Sequence, residues 1–198
     1  EHYLHGCHGV RIISAPLAAG VIGSGIYYPI KTDFKVWLNF AAAIEQGGDA
    51  HDYMRAVRMC YGGKIPPDPA EAFTLLCDFF AGGGKKHPPR SGERIFSFAA
   101  DEELIFASFM SQYGINLFEA HMHWWHFLAL LRALAPETPL MRAAHVRSVK
   151  LSDIKDSALR RRISEQKRIW ALGDEKTAEV ADVIAAAFSA GAGGDMNG

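Results

Sequence analysis

"EAHMHWWHFLALLRAL" (residues 119–134) sets three histidines and two tryptophans at the head of an apolar run. An α-helix turns about 100° per residue, so on a helix Asn116, Glu119, His123 and His126 share one narrow stripe. Trp124, Trp125, Phe127, Leu128 and Leu131 lead the apolar residues that cover nearly all the rest, with only His121 and Arg132 interrupting. A surface helix needs a broad polar face, so this one belongs at the centre of a bundle or partly in an interface. It is not a membrane span. About 20 uninterrupted apolar residues are needed for that, and the histidines and Arg132 break the run.

The polar stripe has two readings. Asn116 is a good helix N-cap, and Glu119 stands three residues on, which together make a capping box. Alternatively, Glu119, His123 and His126 line up as carboxylate and imidazole metal ligands on one face. A two-metal bundle would need a second Glu-x-x-His on another helix, and the sequence has none. The opening "HYLHGCH" offers His2, His5, Cys7 and His8, but a terminal tract has no frame to hold ligands in place.

On either side the chain reads as helices separated by glycines. "GSGIYYPIKTDF" (23–34) suggests a short hairpin or strand, and Thr32 or Asp33 caps a helix over "FKVWLNFAAAIEQ" that stops at Gly47. A second helix is expected from Asp49 to Tyr61. A third has Asp68 as cap, Pro69 at its first position and Glu71 three residues after the cap. "GGGKKHPPRSGE" (82–93) is a flexible linker by composition. Asp101 caps "EELIFASFMSQY", which Gly114 ends. Helices over 139–148 and 154–172 follow the aromatic one. Val180, Val183, Ile184, Ala187 and Phe188 then recur at helical spacing before a Gly-rich end.

The expected fold class is therefore mainly α, a helical bundle of about six to eight helices with a small N-terminal β-hairpin. Residues 1–22 read as a flexible extension, 23–172 as the helical core, and 173–198 as a C-terminal amphipathic helix and disordered tail. "VRIISAPLAAGVI" (10–22) has a faint signal-peptide look, but Pro16 and Gly20 break it.

The 198 residues are 49% hydrophobic, enough for a sizeable core, and carry a formal net charge of −1. That balance gives no field for nucleic acid or an anionic membrane. Arg147 to Arg168 is locally basic, with eight Lys/Arg against Asp153, Asp156 and Glu165. It reads as a solvated face or a patch for an acidic partner, with phosphate binding the lesser reading. Cys7, Cys60 and Cys77 have no CxxC spacing and are odd in number, which argues against a disulfide framework and for a reducing compartment. There is no dinucleotide glycine motif, no Walker A sequence and no nucleophile elbow. No enzyme and no cofactor are expected.

Taken in order, "YYPIKTDFKVWLNF", "DEELIFASFMSQYGINLFEAHMHWWHFLALLRAL", "VRSVKLSDI" and "EQKRIWAL" resemble the bacteriophage gene-product-fifteen family of Listeria-phage-type tail gene clusters. The likeness covers roughly residues 24–172 and is most specific in the His-Trp-Trp core. Asn116 stands where the family has Asp, an equally good cap. The resemblance implies a gene just ahead of the tape-measure gene of a long-tailed phage or prophage, and no catalytic residues. It implies a tail assembly chaperone that binds the tape-measure protein in the host bacterial cytoplasm, with self-association. A tape-measure protein exposes apolar stripes until the tail tube surrounds it, and masking these takes apolar grooves rather than chemistry. The candidate contact residues are Trp124, Trp125, Phe127, Phe109, Met110, Val183 and Phe188, with Phe106 beside them. The bland alternative is that most of them form the protein's own core. A structural virion component is the competing function, and a metalloenzyme through Glu119, His123 and His126 a third.

Overall fold

A computed structural model describes residues 17–47, 49–83 and 94–172. Its first element is an antiparallel hairpin, β1 (Gly20–Gly23) and β2 (Ile26–Pro29), in the register Gly20↔Pro29 to Gly23↔Ile26. Ser24 and Gly25, at φ 47° and 77°, form the turn. Two successive left-handed residues match the strand twist, which is why Gly is favoured here. The hairpin begins at Gly20, inside the stretch read as flexible extension. It packs on the third helix so closely that a Cβ on Gly23 would meet Leu75 Cδ1 at 2.6 Å.

Among the described residues seven α-helices follow: α1 (Phe34–Glu45), α2 (Ala50–Cys60), α3 (Pro69–Phe80), α4 (Glu102–Tyr113), α5 (Trp124–Arg132), α6 (Pro139–Ser148) and α7 (Ser157–Ile169). A 3-10 turn, Leu151–Asp153, precedes the last. The molecule is thus mainly α with a small hairpin, as expected. The starts of α1, α2, α3 and α7 are capped by Asp33, Asp49, Asp68 and Asp156, whose carboxylates accept the first free backbone N–H groups. Gly114, at φ 66°, ends α4 in the left-handed conformation that favours glycine.

The core is aromatic. Phe34, Phe127 and Phe109 stack in series with centroids 5.0 and 4.9 Å apart, joining α1, α5 and α4. Trp37, Phe80 and Trp124 form the second group, with Phe80 stacked on Trp124 at 4.9 Å. Such pairs add about 0.5–1.5 kcal/mol each beyond their burial. Cys60 and Cys77 lie on the inner sides of α2 and α3, where burial pushes both thiols up to about 12. They are packing groups rather than nucleophiles.

Two expectations fail near the centre. The aromatic helix begins at Trp124, not near Glu119, so the predicted stripe does not exist. Trp124 N–H donates to the Thr32 carbonyl at 2.7 Å, and Phe34 N–H to the Met122 carbonyl at 3.0 Å. These bonds hold 122–123 extended, and His123 becomes the N-cap. Asn116 instead accepts from Phe118 N–H in a tight turn, and Glu119 lies exposed in that turn. Asp101 does precede α4, but its carboxylate makes no cap bond. It forms a buried two-point ion pair with Arg147 at 2.7 and 2.8 Å and accepts from Ser97 N–H. Arg147 also donates to the carbonyls of Ile95 and Trp170. Buried Glu45 accepts from Ser97 Oγ and the N–H groups of Phe98 and Ala99. Residues 94–101 are thus fixed from both sides, and they form one end of a cleft.

Candidate binding groove

The cleft lies between α1 and α4 and encloses about 300 Å³. Phe34, Leu38 and Ala42 form its α1 wall, one helical turn apart, with Lys35 and Asn39 at the edge. Ile105 and Phe106 form the opposite wall, with Glu102 at the rim. Phe98 and Ala99 close one end, and Leu117 and Phe118 the other.

Phe118 is the unusual residue. It is 73% exposed, its ring leans on Phe106 with centroids 5.0 Å apart, and its carbonyl accepts from the Lys35 ammonium at 2.8 Å. A large apolar ring is therefore held in water by a tethered backbone. Met110, one turn beyond Phe106 on α4, is 39% exposed. The site offers an apolar trough with one positive and one negative rim charge. It can receive side chains, but no nucleophile and base are brought together in it.

The candidate contact residues separate sharply. Trp124, Phe127 and Phe109 are fully buried and hold the core together. Trp125 is half-buried, stacked on Phe79 at 5.0 Å. Met110 is on the surface. Val183 and Phe188 lie outside the described residues, as do His2, His5, Cys7, His8 and most of the 82–93 linker. Phe118, missed by sequence reasoning, falls inside the helix that Asn116 was expected to cap. Its signal was a bulky aromatic between the helix-ending Gly114 and the next start.

The supposed metal stripe is dispersed. His123 Nδ1 accepts from Trp125 N–H at 3.1 Å and its Nε2 meets the Ala18 carbonyl at 2.9 Å, so both nitrogens are engaged. His126 is exposed, with its ring 6.1 Å from that of His123. Among the described residues, the His, Cys, Asp and Glu atoms that do cluster are those of Asp49, His51 and Asp52, at the exposed start of α2. There Asp49 is occupied as the helix cap.

Fold and groove together define a mainly helical bundle with an open apolar trough between α1 and α4. No described helix is long and apolar enough to cross a membrane. Residues 78–172 match the family model described as Bacteriophage Gp15 protein. The match takes in α4 to α7 and leaves α1, the opposing wall, outside its bounds. No curated protein and no solved structure matches the chain.

Proposed function

We propose that this chain is a non-enzymatic phage tail assembly chaperone that binds an apolar stripe of the tape-measure protein in the host cytoplasm. The match of residues 78–172 to the phage family supports the setting, and the α1–α4 trough with exposed Phe118 supports the mode. From Phe34 to Ala42 the trough runs about 12 Å, the rise of eight helical residues. That length accepts about two turns of an amphipathic helix, with its apolar side chains entering between α1 and α4. Burying two leucine-sized anchors is worth about 3–6 kcal/mol before the costs of association. The grip is therefore weak and reversible, which suits a chaperone that must release its cargo to the tail tube.

Co-expression tests the reading. Tape-measure fragments that are insoluble alone should become soluble in complex with this chain, and failure of every fragment to bind would refute it. A second reading, a structural virion component, draws on the hairpin, where Ile22, Ile26 and Tyr27 are exposed as a neighbour in an assembly would need. Mass spectrometry of purified virions separates the two. Stoichiometric presence supports the structural role, and absence the chaperone.

A further inference from the structure

Phe98 and Ala99, which close one end of the trough, sit in a segment that is neither helix nor strand. Its N–H groups donate to side chains instead. Ser97 N–H donates to Asp101 at 3.0 Å, those of Phe98 and Ala99 to Glu45 at 2.9 Å, and that of Ala100 to Ser97 Oγ at 2.9 Å. A wall held this way is only as fixed as the groups that accept from it. Glu45 is buried at the end of α1. Asp101 is kept in place by Arg147, whose guanidinium pairs with it at two points.

Arg147 is in turn bound to α7 from both its side chain and its backbone. Its Nε donates to the Trp170 carbonyl at 2.6 Å, just past the end of that helix. Its own carbonyl accepts from the Lys167 ammonium at 2.8 Å, which also reaches the Val149 carbonyl at 2.9 Å. Ile163, Gln166, Lys167 and Trp170, at i, i+3, i+4 and i+7, are partly covered and mark the side of α7 that meets the bundle. No residue of α7 is buried, and a 13-residue helix without a buried face is marginal in water. Such an element opens locally at a fraction of the cost of unfolding the whole chain.

We infer that α7 is a strap that fixes the closed end of the trough through Arg147. Seated, it supplies the Trp170 carbonyl to a guanidinium that is only 6% exposed, and keeps water from the pair with Asp101. Lifted, it takes that acceptor away and lets water compete for Arg147 and Asp101, whose attraction water then screens. The bonds to the Ile95 carbonyl and from Ser97 N–H loosen with them, and Phe98 and Ala99 are freed on that side. The trough is thus adjustable from a helix that takes no part in lining it. The inference concerns this chain alone and holds whatever the trough binds.

Hydrogen exchange on the full chain tests it. Arg161→Gly with Glu165→Gly alters two exposed positions on the side of α7 away from the bundle and leaves the net charge unchanged. Two interior glycines should speed exchange in α7 about tenfold. The amides of Ser97, Phe98, Ala99 and Ala100 should then speed up by about the same factor, while those of α1 and α5 stay as they were. Lys167→Met, which removes the two bonds to the carbonyls of Arg147 and Val149, should act alike. Unchanged exchange at 97–100 beside a loosened α7 would overturn the inference. So would an α7 that exchanges freely in the unaltered chain beside a protected 97–100. Equal acceleration in α1 and α5 would overturn it too, since the chain would then open as one unit. An α7 as slow in both variants as in the original would do the same, because a strap must be able to lift.

Discussion

His123 does two jobs with one ring. Its Nδ1 must be bare to accept from Trp125 N–H, so the proton sits on Nε2 and is donated to the Ala18 carbonyl. Burial holds its pKa below the usual 6.5. The Ala18 bond opposes this, and the nearby His126 charge adds to it. In the unfolded chain the ring takes up a proton near pH 6.5, whereas in the folded chain it does so only at lower pH. Between those values the unfolded state holds more protons, so stability falls as pH drops below about 6.5. Melting midpoints should decrease from about pH 7.5 to about pH 5.5, and His123→Asn, which keeps a capping oxygen without the titration, should flatten that slope. An unchanged slope in the variant would show that the cap is not the titrating group. At Asp101 the expectation is larger. Asp101→Ala leaves the buried Arg147 guanidinium without its carboxylate and should cost about 3–5 kcal/mol in urea unfolding. Asp101→Ala with Arg147→Met should recover a large part of it, because no buried charge then remains. Sequence reading took Asp101 for a cap because its position before α4 is the same in either role. Its partner stands 46 residues away, and no local pattern points to it.

At the scale of elements, the His-Trp-Trp segment ties two helices together. His123 starts α5, while the indole N–H groups of Trp124 and Trp125 donate to the carbonyls of Phe80 and Phe79 at 2.8 and 2.9 Å. Those carbonyls belong to the last turn of α3, where the following helical turn that would satisfy them is missing; that of Phe79 also accepts from the Gly82 N–H at 2.9 Å. The tryptophans therefore finish one helix as they begin another. Trp125→Phe keeps the stacking on Phe79 but loses a bond, and should cost about 0.5–1.5 kcal/mol. Trp124→Phe strips a fully buried carbonyl contact and opens space in the core, and should cost about 2–4 kcal/mol. Chemical denaturation of the two variants checks the order, and equal costs would contradict this division of labour. The cap residues of α1, α2 and α3 and the stop at Gly114 were legible, because each acts within four residues of its helix. The start of α5 was not. It is set by the backbone bonds of Trp124 to Thr32 and Phe34 to Met122, which join segments about 90 residues apart.

For the whole molecule, helical periodicity and glycine punctuation revealed the bundle, and the length of apolar sequence revealed its core. They did not reveal which aromatics face water. Trp124, Phe127 and Phe109 looked as available as Met110, and only the stacking of α1, α4 and α5 decides between them. Phe118 escapes burial because the Asn116 turn and the Lys35 bond to its carbonyl hold its backbone at the mouth of the trough. Under the proposed function it is therefore the residue at which binding and stability should come apart. The most direct measurement compares the affinity of the unaltered chain and of Phe118→Ser for a tape-measure fragment captured by co-expression, with urea unfolding alongside. The variant should unfold within about 0.5 kcal/mol of the original, as surface changes do, and bind about 10–100-fold more weakly, the worth of one buried aromatic ring. Equal affinity in an equally stable variant would contradict the account, because the trough would then not be where the cargo sits.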